Sequence, residues 1–423
     1  MAYRTDDHAS LERLRASLLD ASDDGPPPIL RRLKADHLEG LPEKVVHVRR
    51  RMMPEMQPQA YDAVVTRAKS DIAGPMLETL HHLRGISLHP VWPQTGAVDD
   101  ATAYINQSAR VAETFEILNQ IAARKEKVLI FLESLDMQDR LSLIIKNRYK
   151  LPKLPMQISG EVTGEKRQKA VDEFQTNTSG FDVMILSPKA GGVGLTLTSA
   201  NHVIHLSRWW NPAVEDQCTD RVYRIGQDRN VNVYYPMAIH PQYGEGSFDS
   251  LLNGMLERKR ELGLRMLIPP VDLKRDEAWF AENLTNVAAA RPKLDKADPE
   301  EIDCMDPRQF ERWVLQRMAA IGYVADRTPS THDGGADGLL AHRQSGFRVI
   351  VQCKHKQDIN SACDDEAIDD LLRARSTYDA MSARLIALTN AQDFTSKTRR
   401  RATDYGIILV ARPELRGWPI AGL

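Results

Sequence analysis

Among its 423 residues the sequence has no Gly-Lys pair, so it holds no Gly-x-x-x-x-Gly-Lys-Ser/Thr loop to cradle the phosphates of a nucleotide. Asp-Glu pairs occur only at 172–173, 276–277 and 365–366, and none follows a buried strand as a magnesium-binding motif would. No apolar run approaches the roughly 18 residues that cross a bilayer. The start, Met-Ala-Tyr-Arg-Thr-Asp-Asp-His, lacks the basic and then apolar pattern of a signal peptide. Together these absences place the chain in the cytoplasm, with no membrane partner. Cysteine is scarce: the four at 218, 304, 353 and 363 form no Cys-x-x-Cys pair, which argues for reduced thiols and against a zinc site. A net charge of −2 removes any uniformly basic surface, so nucleic acid would have to be held by local patches and clefts.

What is present suits folded domains. Apolar residues make up 42% and charged residues 27%, and the length suits about two or three domains of ordinary size. The proline run after Asp23-Asp24-Gly25 reads as a linker behind a short helix at 11–19. Val45 to Arg49 reads as a strand. Short apolar runs at 128–132, 183–186, 203–206 and 231–235 alternate with amphipathic helical patterns. Such alternation predicts a parallel sheet covered on both faces. Leu267-Ile268-Pro269-Pro270 closes that unit, and the charged stretch from 271 to 302, with Pro292 and Pro299, reads as a linker. A second α/β unit opens at Asp306-Pro307, an N-cap followed by a first-turn proline. Phe310, Val314 and Met318 then mark a buried helical face. Strands are expected at 323–327, 337–342, 347–354, 384–389 and 407–410.

Two groups of residues carry chemistry. The first is Gln217 to Gln227, Gln-Cys-Thr-Asp-Arg-Val-Tyr-Arg-Ile-Gly-Gln. On a helix, Arg221 and Arg224 would project from one face toward a common anion. A surface salt-bridge helix is the plainer reading of that spacing. Upstream, the glycine-rich stretch Lys189 to Thr196, with Gly192 and Gly194, suits close backbone approach to phosphate or sugar. Arg208-Trp209-Trp210-Asn211-Pro212 lies between the two. Taken in this order, these motifs resemble the C-terminal RecA-like lobe of the Swi/Snf-type ATPases of helicase superfamily two, over about Ile29 to Arg260.

The resemblance implies that Arg221 and Arg224 reach a nucleotide held by a first lobe, with Gln217 setting them and Gly192 and Gly194 near the bound groups. A fixed guanidinium opposite the γ-phosphate contributes roughly 10³ to 10⁵ in rate. Ser207 stands where the family usually has an acidic residue, and Pro188 replaces a strand residue. The ATP would be shared with a first lobe supplied by a separate chain or by sequence upstream of Met1. The chain alone is accordingly expected to show no DNA-stimulated ATPase activity.

The second group lies at 332–354. His332-Asp333-Gly334-Gly335-Ala336-Asp337-Gly338 leads into one strand, and Val349 to Lys354 forms the next. Alternation puts Gln352 and Lys354 on one face and Val349, Val351 and Cys353 on the other. A turn at Ser345-Gly346 can bring Asp337 beside Gln352 and Lys354. Asp337 and the Gln352 amide oxygen are candidate Mg²⁺ ligands, and Lys354 could activate water or neutralise charge on a phosphate. An ordinary polar sheet edge is the alternative. With Pro307 to Glu311 and Val-Gln-Cys-Lys, the stretch from about Met305 to Trp418 resembles the Mrr-like branch of the PD-(D/E)xK restriction endonucleases. That resemblance adds Glu311 to the catalytic set of Asp337, Gln352 and Lys354.

The expected fold is therefore α/β: a RecA-like parallel-sheet lobe followed by a smaller restriction-endonuclease-like domain. The expected division is 1–28 helix and linker, 29–100 exit from a first lobe, 101–268 second lobe, 269–303 linker and 304–423 nuclease. The expected function is a Mg²⁺-dependent endonuclease acting on double-stranded DNA, coupled to an ATP-driven lobe, in bacterial restriction or defence. The alternative is a non-catalytic DNA-binding remnant that docks on a separate motor.

Overall fold

The apolar runs of the first unit are strands because each buries both of its faces. Every residue of β2 (Lys127–Phe131), β4 (Asp182–Leu186) and β5 (His202–His205) is buried. In the computed structural model, residues 41–69, 76–91, 100–160, 164–177, 180–188, 194–265, 279, 297–325, 336–343, 348–378, 380 and 383–419 are described. The helix expected at 11–19, the segment 29–34, most of the 269–303 linker, Gly192, His332 and the turn at Ser345-Gly346 lie outside them.

With β1 (Lys44–Met52), β3 (Met156–Ile158) and β6 (Val231–Ile239), these strands form a six-stranded sheet ordered β1-β6-β5-β2-β4-β3. Every pairing in it is parallel. Alternate residues feed opposite cores: Val128, Ile130, Val183 and Ile185 on one side, Leu129, Phe131, Met184 and Leu186 on the other. Helices α1 (Met56–Lys69), α2 (Met76–Leu88), α3 (Ala101–Asn106), α4 (Ala109–Ala123), α5 (Leu135–Tyr149), α6 (Gly164–Thr176), α7 (Pro212–Thr219) and α8 (Phe248–Arg265) accompany this sheet. Asp100, Ser108, Ser134 and Asn211 cap α3, α4, α5 and α7 with side-chain oxygens, satisfying first-turn N–H groups.

Three details depart from the sequence expectation. The sheet reaches back to Lys44, well before residue 101, because β1 pairs along its whole length with β6. The short β3 was not expected, since three residues are too few to show a period. Strand β6 also runs on through Pro236 to Ile239. Pro236 lies beyond the last register pair with β5, Ile204 with Tyr234, where a missing N–H disrupts no ladder on that side.

The second unit is a five-stranded mixed sheet ordered β11-β10-β9-β8-β7. Its strands are β7 (Tyr323–Ala325), β8 (Gly338–His342), β9 (Arg348–Lys354), β10 (Arg384–Thr389) and β11 (Ile408–Val410). The pairs β7–β8 and β8–β9 are antiparallel, and β9–β10 and β10–β11 are parallel. Helices α9 (Pro299–Asp303), α10 (Pro307–Ala320), α11 (Glu366–Thr377), α12 (Ser396–Tyr405) and α13 (Arg412–Leu415) complete it. Helix α10 starts at a capping box of Asp306 and Gln309, and Phe310, Val314 and Met318 are its buried residues. They share a core with Val349, Val351 and Cys353, whereas Ile350 packs with Ala367, Ile368 and Leu371 of α11.

The two sheets meet at β1. Helix α12 packs on that edge strand, and Arg375 pairs with Glu43 at 3.3 Å and Arg124 with Asp404 at 3.2 Å. Arg50, whose side chain is buried, pairs with Glu245. Both lie close enough to Tyr323 and Arg384 of the second unit to perturb them electrostatically. Among the described residues no helix is long and apolar enough to cross a membrane.

Candidate functional site

The antiparallel register of β8 and β9 builds the first site. Gly338 stands opposite Val351, so Asp337, one residue earlier, comes level with Gln352 at the mouth of the hairpin. The Asp337 N–H donates to the Val351 carbonyl at 3.1 Å, and its Oδ2 accepts from the Cys353 N–H at 2.6 Å. The carboxylate is thus locked to the strand that carries Gln352 and Lys354. Burial raises its pKa to about 6, opposed by the Cys353 hydrogen bond and helped by the negative charge of Glu311. Glu311 sits on α10 over the opposite face of the sheet, and it reaches the site through this field.

Gln352 is 6% exposed, and its Oε1 is buried without a hydrogen-bond partner among the described residues. A buried amide oxygen left unpaired costs about 1–3 kcal/mol, a cost that a water or a cation at this position would offset. Asp337 and Gln352 offer a carboxylate and an amide oxygen, a donor set suited to a hard cation such as Mg²⁺. Among the described residues no group of three His, Cys, Asp or Glu side chains could hold a metal ion, so a cation here would rely on Gln352, backbone carbonyls, water or substrate oxygens. Lys354 projects from the same strand face as Gln352. Its Nζ donates to Asp370 at 2.9 Å and lies 3.3 Å from Glu366. Sequence reasoning passed over these two acids, although their four-residue spacing on the helix after the lysine strand was a usable signal.

The charged and aromatic neighbours of the site are tied into the fold. His355 Nε2 bonds the Ile302 carbonyl at 3.0 Å and its ring stands edge-on to Phe310. On α12, Lys397 pairs with Asp365, Arg399 with Asp393, and Arg401 with Asp365 and Asp369.

The arginine segment differs from its expected form. Helix α7 ends at Thr219, and Arg221 and Arg224 lie in the turns that follow, not on one helical face. After a last helical bond from the Tyr223 N–H to Thr219, the chain turns through shorter bonds, Val222 N–H to Thr219 and Gln227 N–H to Arg224, and Gly226 at φ 95° reverses it. Gln227 fastens the turn: its Nε2 donates to the carbonyls of Thr198, Ala200 and Val222 at 3.1, 2.8 and 3.3 Å. The Leu197 N–H donates to the Arg221 carbonyl at 2.9 Å, and Arg224 Nη1 reaches the Gly194 carbonyl at 3.4 Å.

The end of the glycine-rich stretch and the arginine turn are therefore neighbours. Arg221 is 6% exposed and burial lowers its pKa, whereas Arg224 and Gln217 are exposed. Ser207 is buried and accepts the Glu133 N–H at 3.1 Å, and the Pro188 carbonyl faces Cys218 Sγ. Trp210 meets Phe248 edge-on, and Arg84 lies over Trp209, so the tryptophan pair serves packing.

Residues 113–226 match the helicase conserved C-terminal domain, and residues 302–418 match a restriction endonuclease family of Mrr type. The chain thus carries a helicase C-terminal match followed by an Mrr-type restriction endonuclease match. It is 33% identical over 284 residues to the Zorya protein ZorD of Escherichia coli O139:H28, covering 63% of this chain and 25% of that protein. It is 31% identical over 266 residues to the putative ATP-dependent helicase/translocase YwqA of Bacillus subtilis, covering 60% of this chain and 27% of that protein. This chain spans about a quarter of the length of these relatives. A Sulfolobus solfataricus SWI2/SNF2 ATPase core domain aligns with 30% identity and a TM-score of 0.46, covering 67% of this chain and 56% of that one. The helicase C-terminal domain thus contains the arginine turn, and the Mrr-type domain contains Asp337, Gln352 and Lys354.

Proposed function

We propose that this chain is a DNA-processing subunit or fragment in which a helicase lobe is coupled to a Mg²⁺-dependent endodeoxyribonuclease, serving bacterial restriction or defence in the cytoplasm. The convergence of Asp337, the unpaired Gln352 amide oxygen and Lys354 at one hairpin mouth carries this reading. Asp337 and Gln352 would hold Mg²⁺, which supplies charge neutralisation and a more acidic water for phosphodiester hydrolysis. Lys354 would donate hydrogen bonds to the scissile phosphate, and Glu311 would act through its charge on Asp337. Gly194, Arg221 and Arg224, set by Gln217 and with Gly192 nearby in sequence, would engage the phosphates of an ATP held by a first ATPase lobe. The names of the relatives, an ATP-dependent translocase among them, support that half of the reading.

Nicking of supercoiled plasmid under a Mg²⁺ titration tests it. Cleavage that needs Mg²⁺ and disappears in Asp337→Ala and Lys354→Ala, with DNA binding retained, is the expected result. Undiminished cutting by both variants would remove the site. No cutting by the unaltered chain, with DNA binding intact, would favour a second reading, a non-catalytic DNA-binding remnant. The glutamine at 352 in place of a carboxylate is the observation behind that alternative.

A further inference from the structure

Lys354 is held by more than its own strand. Helix α11 packs along β9 and presents Glu366 and Asp370, one turn apart, to the lysine ammonium. Asp370 is the inner of the two: its side chain is 14% exposed against 67% for Glu366. It lies 2.9 Å from Nζ and is itself approached by Arg373 Nη1 at 3.4 Å. An ammonium has three donors in tetrahedral array. Asp370 takes one by hydrogen bond and Glu366 pairs with the same ammonium at 3.3 Å, which leaves donor capacity for a phosphate. From below, Lys354 is fixed by β10, where the Thr389 hydroxyl donates to the Lys354 carbonyl at 2.7 Å.

We propose that Asp370, assisted by Glu366, is a positioning residue of the nuclease site: it tethers the Lys354 ammonium so that one N–H points at the phosphate and the lysine acts as a fixed cation, not as a proton acceptor. The proposal deepens the nuclease reading above and rests on it. A long lysine stem without such a tether explores many rotamers, and loss of a positioned group by about 1 Å can cost about a hundredfold in rate. The exposed Glu366 carboxylate is screened by solvent and contributes less. Among the described residues Asp370 makes no hydrogen bond to Gln352 or Asp337; its charge also helps to raise the pKa of Asp337, so the state of the Lys354 amine is what separates tethering from that field.

The test is a plasmid-cleavage assay with kcat and KM measured separately for the full chain, Lys354→Ala, Lys354→Arg, Asp370→Asn, Asp370→Glu and Glu366→Gln. Expected are a fall in kcat of about tenfold or more for Asp370→Asn at nearly unchanged KM, recovery of at least part of that loss in Asp370→Glu, and less than about threefold loss in Glu366→Gln. Lys354→Arg, which keeps a cation that cannot accept a proton, should cut faster than Lys354→Ala. Competitive labelling of amines on the intact protein gives a readout without catalysis: Lys354 should react faster in Asp370→Asn than in the unaltered chain. The nuclease reading itself fails if Lys354→Ala cuts like the unaltered chain. The positioning role fails, with the nuclease reading intact, if Lys354→Ala is inactive while Asp370→Asn cuts normally. It fails equally if Asp370→Asn leaves the labelling of Lys354 unchanged.

Discussion

Gly406 of the Mrr-type domain lies against the imidazole of His47 on β1 of the six-stranded sheet: a Cβ at Gly406 would fall 2.6 Å from His47 Nδ1. Gly406 closes α12 at φ 66°, a backbone state that costs an L side chain roughly 1–2 kcal/mol even without a neighbour. Gly406→Ala should therefore destabilise the boundary by about 1–3 kcal/mol. Urea denaturation together with limited proteolysis checks this, and unchanged resistance of both domains would contradict it.

His47 makes that boundary sensitive to acid. Burial holds its pKa down at about 4, against the hydrogen bond to Asn232 that favours the charged ring. The folded ring stays neutral while the unfolded one takes up a proton below about 6.5, so stability falls as pH drops from about 6.5 to 4 and the loss then levels off. For this shift the loss amounts to about 3 kcal/mol at most. His205, also depressed by burial, adds to the total. The slope of unfolding free energy between pH 7 and 5 should be smaller in His47→Gln, and an identical slope would remove His47 from the account.

Arg110 and Asp249 join α4 to α8 in a buried pair, each about 1% exposed. Asp249 also accepts the Ala238 N–H at 2.7 Å, and Arg110 Nη1 donates to the Leu206 carbonyl at 3.1 Å. Removing one partner strands a buried charge, so Arg110→Met or Asp249→Leu should each cost about 3–5 kcal/mol. The double variant should cost less than the sum, as a denaturation cycle would show.

Gln227→Ala should loosen the arginine turn while sparing the sheet, because three carbonyls lose a shared donor. A loss of about 1–3 kcal/mol is expected, with faster amide exchange at 221–227 than in β5 or β6. Uniformly faster exchange over the whole domain would count against a local anchor.

The sheets were legible in the sequence because their strands are apolar and bounded, and the helical face of Phe310, Val314 and Met318 because its period is regular. Alternation brought Asp337 beside Gln352 and Lys354 because a hairpin with fixed parity leaves few partners, but it left an ordinary polar sheet edge open, and the family resemblance was needed to read a site there. The arginine turn was read as a helix because a three-residue spacing cannot tell α-helix from a run of tight turns, and Gly226 acts only after the stop at Thr219. Membership of β1 in the sheet was not legible at all. Its pairing is with residues 187 positions away, and no local period records such a distance. Asp370 was missed because Glu366 was counted only within an Asp-Glu pair, and the acids on the helix after β9 were not weighed against Lys354.

The same distance shapes how the molecule assembles. Strand β1 leaves the ribosome first among the six, yet its neighbour β6 follows only after those 187 residues, about 10–40 s of synthesis. Through that interval a strand bearing Val45, Val46 and Val48 must wait unpaired, exposed to chance association. The six-stranded sheet is complete only when residue 239 has been made, and α12 packs on its outer edge. The outer edge of the six-stranded sheet is thereby covered by a helix that lies more than 150 residues further along the chain.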